Sequence, residues 1–196
     1  MRRGFTLIEL LVVVAIIVIV SASILANGRK YGGEIQLQNL AYDMALSIRQ
    51  AQVYGISVRL SGASYTSGYG IYVNAVSSPT LYRLYSDSGT VNGQYDSGED
   101  VSPSPYNING GFKVAEVCVP AGTDSATCTP LNGGILNLVF IRPEPNAWIN
   151  APCSLTVGNE KCSGGAASAR IVLSSPRGDI MSIIIYANGE ISVSKT

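Results

Sequence analysis

The sequence predicts an α+β protein, a long N-terminal helix packed on an antiparallel β-sheet domain. Three observations carry that class. Residues 5–26 are almost all apolar, residues 35–53 repeat their apolar side chains at three-and-four spacing, and beyond Gly55 short alternating segments are separated by Gly, Pro, Asn and Ser.

The first run comes to roughly 33 Å as a helix, at about 1.5 Å per residue, enough to cross a hydrocarbon core of about 30 Å. It is too long for the apolar region of a secretory signal and has no small-x-small cleavage site directly after it. Arg2 and Arg3 precede it, which places the N-terminus on the cytoplasmic side and the remainder of the chain outside. Glu9 interrupts the run. A carboxylate inside a spanning segment costs a few kcal/mol and is a functional candidate by default; the alternative is a side chain near the helix start that reaches headgroup water.

The second run places Leu37, Leu40, Ala41, Met44, Ala45, Ile48 and Ala51 on one side. Gln36, Gln38, Asn39, Asp43, Ser47 and Arg49 take the other, as in an amphipathic helix with one buried stripe. Gly28, Gly32 and Gly33 weaken the helix between the two runs and permit a bend, and Gly55 is the expected stop. Strands are expected at 56–60, 69–73, 81–85, 113–119, 135–141, 169–174, 180–186 and 190–194. Arg142-Pro-Glu-Pro interrupts the series, and 143–168 reads as irregular and disulfide-pinned. The last three strands form a meander, with Ser-Pro-Arg-Gly-Asp and Ala-Asn-Gly at its turns.

Composition narrows the chemistry. Beyond the apolar run about 170 of the 196 residues remain, enough for one domain with a sizeable core. The formal net charge is zero, so no overall basic field points to nucleic acid, and the lack of histidine excludes His-based triads and imidazole metal sites. No nucleophile paired with a base, no catalytic carboxylate pair and no phosphate loop emerges, so an enzyme is not expected.

The four cysteines, Cys118, Cys128, Cys153 and Cys162, all follow the apolar run, in an oxidising space on this topology. Their spacing favours local pairing, Cys118–Cys128 and Cys153–Cys162, over the other two connectivities. A zinc site of four thiolates is the competing reading, and the separations do not match paired zinc knuckles. No cofactor is implied apart from a candidate structural calcium loop in residues 87–100. With Ser88 at loop position one, Asn92, Asp96 and Glu99 supply oxygen ligands, Gln94 a backbone carbonyl and Gly93 the sharp turn. Ser88 and Thr90 stand where carboxylates or amides are expected, and the competing reading is an acidic surface turn.

Arg-Arg-Gly-Phe-Thr-Leu-Ile-Glu-Leu followed by an apolar helix resembles the class III signal of type IV prepilins, over residues 1 to about 26. The resemblance implies that a membrane peptidase cuts after Gly4, that Phe5 becomes an N-methylated first residue, and that Glu9 is the signature glutamate of assembly. Glu9 of an incoming subunit would neutralise the Phe5 amine of a neighbour in the filament. It also implies a division into a leader (1–4), a transmembrane and assembly helix (5–26), an amphipathic helix (27–54) and a β-rich extracytoplasmic domain (55–196). The segments Ser47-Ile-Arg-Gln-Ala-Gln, Arg170-Ile-Val-Leu-Ser-Ser-Pro-Arg-Gly and Tyr186-Ala-Asn-Gly-Glu-Ile look like those of H-type minor pseudopilins and related minor pilins.

The function this implies is a minor pilin or pseudopilin of a type IV pilus or type II secretion pseudopilus; a major pilin and a singly anchored binding protein that does not polymerise are the alternatives. The implied partners are the prepilin peptidase, other pilin or pseudopilin subunits, the inner-membrane assembly platform and, before assembly, membrane lipid. Some minor pilins bind DNA through an Arg-rich C-terminal region. Here Arg170, Arg177 and Lys195 are interleaved with Asp179 and Glu190, as on a solvated face.

Overall fold

The computed structural model describes residues 4–57, 67–119, 130–156 and 159–195. They divide into two units, Met1–Gln36 and Leu37–Thr196. One helix, α1 (Leu7–Ile56), supplies the first unit and the start of the second. It is assigned without a break through Gly28, Gly32 and Gly33, so the glycines expected to weaken it do not interrupt its hydrogen-bond ladder.

In the second unit the expected stripe is buried: Leu37, Ala41, Met44, Ile48 and Ala51 are at most 1% exposed. They join a single cluster with residues of two antiparallel sheets. The strands are β1 (Gly68–Asn74), β2 (Ser78–Asp87), β3 (Tyr106–Asn107), β4 (Lys113–Cys118), β5 (Ile135–Phe140), β6 (Ala147–Ile149), β7 (Cys153–Thr156), β8 (Asn159–Cys162), β9 (Ser168–Ser174), β10 (Ile180–Tyr186) and β11 (Ile191–Lys195). One sheet has the order β3-β2-β1-β5-β6, the other β11-β10-β9-β4, and β7-β8 form a separate hairpin.

Alternation decides what each face meets. In β5, Leu136, Leu138 and Phe140 enter the main core, while Val139 and the following Ile141 face a second cluster with Tyr85 and Cys153. This strand reads as an almost continuous apolar run because both its faces are covered. The two sheets are linked where Ala147 N–H donates to Ala187 O and Ala187 N–H donates to Ala167 O, both at 2.9 Å. Gln52, buried on the helix, adds a clasp: its Nε2 donates to Pro145 O at 2.8 Å and to Gly189 O at 3.1 Å. Gly189 fits there because its φ of +84° closes the β10–β11 hairpin and a side chain would strike the Pro145 carbonyl.

Several expectations are corrected. Segment 143–168 is not irregular, since it contains β6 and the β7–β8 hairpin, whose alternation is too short to register as strands in the sequence. The segment expected as a strand from Ile56 begins in the helix, and its residues 58–60 lie outside the described residues. Ser47, assigned to the polar side, is buried, and its hydroxyl hydrogen-bonds the Tyr82 phenol at 3.0 Å. Gly55 is not a cap. The helix runs one residue past it, and a Cβ there would collide with the backbone of Phe140, so glycine marks the close approach of α1 to β5.

Gly55→Ala is therefore expected to destabilise the protein by about 1–3 kcal/mol, the usual cost of overpacking against backbone that cannot yield. Denaturant unfolding checks this; an unchanged midpoint would mean that the helix end shifts freely.

Candidate functional site

The N-terminal segment carries the residues singled out by the sequence. Gly4 and Phe5 precede the helix, and Phe5 is 78% exposed. Thr6 caps the helix, a role the sequence reading missed although Thr-x-x-Glu before an apolar run is its signature. Glu9 N–H donates to Thr6 Oγ1 at 3.3 Å. In return Thr6 N–H and its hydroxyl donate to Glu9 Oε2 at 3.0 and 2.8 Å. The Glu9 carboxylate is thus folded back over the first turn, next to the chain that a cut after Gly4 would turn into a terminal amine. Two donors and the positive end of the helix dipole stabilise a charge that the apolar run would otherwise exclude.

Downstream, Leu7–Leu25 has a mean hydropathy of 3.0 and none of it is buried. By length and composition it is able to cross a membrane.

In the 87–100 loop the side chains of three of the four candidate ligands, Asn92, Asp96 and Glu99, are engaged in the loop's own hydrogen bonds. Asn92 Nδ2 donates to Asp96 Oδ2 at 3.0 Å, and Gln94 N–H donates to Asn92 Oδ1 at 2.7 Å. Glu99 accepts N–H groups on both oxygens, from Ser88 and Gly89 on Oε1 and from Asp96 on Oε2. Asp87, fully buried, accepts those of Asn92 and Gly93 at 3.2 and 2.7 Å. Among the described residues no group of three or more Asp, Glu, Cys or His side chains is placed to hold a metal ion. Burial raises the Glu99 carboxyl above its ordinary 4.5 against the pull of N–H donors from Asp96, Gly89 and Ser88, with the Asp87 charge adding to the rise. At the end of the loop, burial would raise Asp100 too, but bonds from Ser104, Tyr95 and Arg83 outweigh it and hold its carboxyl below 3.8. Arg83 and Asp100 form an ion pair at 2.8 Å.

Of the expected disulfides, Cys153–Cys162 is present across the first rung of β7–β8. Cys118 is disulfide-bonded, and Cys128 lies outside the described residues. Arg170, read with Arg177 and Lys195 as part of a solvated face, is instead buried, only 3% exposed.

Acid titration of thermal unfolding separates the two loop carboxyls. Asp100, with its folded pKa depressed, adds stability above 3.8 that is lost as the pH falls through the folded value; Asp100→Asn should remove that acid-side loss. Glu99, raised, binds its proton more tightly folded than unfolded, so stability should rise as the pH falls from its raised value towards 4.5, and Glu99→Gln should remove that rise. With the carboxylate oxygens already accepting N–H donors, millimolar calcium and magnesium are expected to shift the melting temperature by the same small amount. A calcium-specific shift that Glu99→Ala abolishes would establish a metal site instead.

A search of the curated proteins and one of the solved structures find no match to this chain. Residues 1–25 match the family described as the prokaryotic N-terminal methylation motif. The chain thus carries, on its capped and apolar first helix, a prepilin-type methylation signal of the kind found in the type IV pilin-like family.

Proposed function

We propose that the protein is a minor pilin or pseudopilin subunit, anchored by α1 with its β domain outside the inner membrane, that assembles through that helix into a type IV pilus or secretion pseudopilus. The observation that carries this reading is the methylation motif over residues 1–25, joined to a helix whose exposed apolar residues continue from Leu7 to Leu25. The prepilin peptidase cuts after Gly4 and Phe5 is methylated. The cationic amine so formed lies in a poor solvent, where an opposite charge is strongly preferred to none. Glu9 provides it for a neighbour, leaving the Thr6 donors or sharing them. Before assembly the same helix rests in lipid, and its partners afterwards are other pilin-type subunits on an assembly platform.

Replacing Glu9 by Leu tests the reading. Insertion and cleavage should persist, since the change removes a charge from an apolar helix, while recovery in sheared filaments or in crosslinks to other pilin subunits should fall by tenfold or more, roughly the loss of one buried charge pair. Thr6→Val, which deletes the capping hydroxyl and keeps the carboxylate, should cost about 0.5–2 kcal/mol of helix-start stability and leave most incorporation intact. Normal incorporation of the Glu9→Leu chain would reduce Glu9 to a helix cap and favour an anchored protein that does not polymerise.

A further inference from the structure

A groove of about 370 Å³ opens between α1 and the edge of the five-stranded sheet, lined by Asp43, Leu46 and Ser47 of the helix, Tyr82 of β2, and Tyr106 and Asn107 of β3. Its inner wall is fixed. Tyr82, only 4% exposed, stacks on Tyr106 with ring centroids 4.9 Å apart and planes 10° apart. Ser47 Oγ donates to the main-chain carbonyl of Asp43 at 3.0 Å, so the proton in its 3.0 Å bond to the Tyr82 hydroxyl comes from Tyr82. Burial holds the Tyr82 phenol above 10.0 against the pull of Ser47, and the nearby Tyr106 and the Asp43 charge add to the rise.

The outer groups of the groove are not used in this way. Among the described residues no hydrogen bond or ion pair engages the Asp43 carboxylate, the Tyr106 hydroxyl or the Asn107 side chain. Asp43 is the one charged side chain in the lining, and Arg49, farther along the helix, is engaged with Gln52. Leu46, beside Ser47, is 66% exposed. A carboxylate, electron-rich phenol rings and an exposed apolar side chain thus share one groove that holds no cation, and its charge calls for a positive occupant.

We propose that this groove receives an arginine side chain of another protein chain. A guanidinium is planar and weakly hydrated, so it rests on a phenol ring while its fork of N–H donors meets the Asp43 carboxylate and the Asn107 carbonyl oxygen. The arginine stem and an apolar neighbour in the partner cover Leu46, a contact that a small free cation does not make. The site lies in the β domain and depends neither on a cut after Gly4 nor on entry of the first helix into a filament.

The full-length protein in an uncharged detergent, with isotope-labelled tyrosine rings, is titrated by magnetic resonance with the blocked tripeptide Leu-Arg-Leu, its neutral citrulline counterpart and putrescine. The arginine peptide should shift the Tyr106 ring signals, identified by their loss in Tyr106→Phe, and the citrulline peptide should bind about tenfold more weakly, having lost both the ion pair and the cation–π contact. Asp43→Asn, at an exposed position, should weaken the arginine peptide about three- to fivefold. The peptide comparison uses the unaltered chain and stands whatever the variants do. No shift at Tyr106, equal binding of the citrulline peptide, or undiminished binding to Asp43→Asn would overturn the proposal. Putrescine bound as tightly as the arginine peptide would overturn it too, by making the groove a site for small free cations.

Discussion

The burial of one helical stripe against two sheets is the contact on which the domain depends. Leu37, Ala41, Met44, Ile48 and Ala51 share a single cluster with Leu136, Leu138 and Phe140 of β5 and with Ile171, Leu173 and Ile183 of the other sheet. Neither sheet closes a core by itself, and the helix completes it. Truncating Met44 or Ile48 to alanine would cost about 2–5 kcal/mol, a large part of the 5–15 kcal/mol by which domains are stable. The small residues Ala41, Ala51 and Gly55 allow close approach, and Gln52 ties the helix to the loops that join the sheets.

The same helix meets a different demand at its start. From Leu7 to Leu25 there is no buried stripe, and none of the segment is buried. An apolar surface of that length needs lipid or other apolar helices around it. The only charge within the segment is Glu9, and it is already engaged with Thr6. That engagement makes the carboxylate tolerable, and on the proposed function any intersubunit pairing would compete with it. The strength of assembly at Glu9 would then be a difference between two partners and not the full value of an ion pair.

What could be read from the sequence follows from period and length. The helix stripe and the β9–β11 meander were legible because three-and-four spacing and Asn-Gly turns persist over many residues. β6, β7 and β8 were not, because runs of three or four residues carry too few alternations to stand out from a proline- and glycine-rich stretch. Ser47 and Gln52 looked like surface residues, since a polar side chain is buried only when a partner far along the chain, here Tyr82, Pro145 or Gly189, accepts or supplies the bond. Arg170 misled for the same reason: strand register, which no local pattern reveals, moves it from a solvated face to a buried position opposite Cys118. The methylation motif of residues 1–25 was legible because it is linear, and the cap at Thr6 was missed although its Thr-x-x-Glu pattern is local.

The central claim is that the first helix is an assembly element exposed by processing. N-terminal mass spectrometry of the membrane-extracted protein, from cells with and without an active prepilin peptidase, tests it most directly. The account predicts a chain beginning at N-methylated Phe5 when the peptidase is present, and an intact leader through Gly4 when it is absent. An unprocessed Met1-Arg2-Arg3 terminus in both would contradict it and leave α1 as an anchor alone.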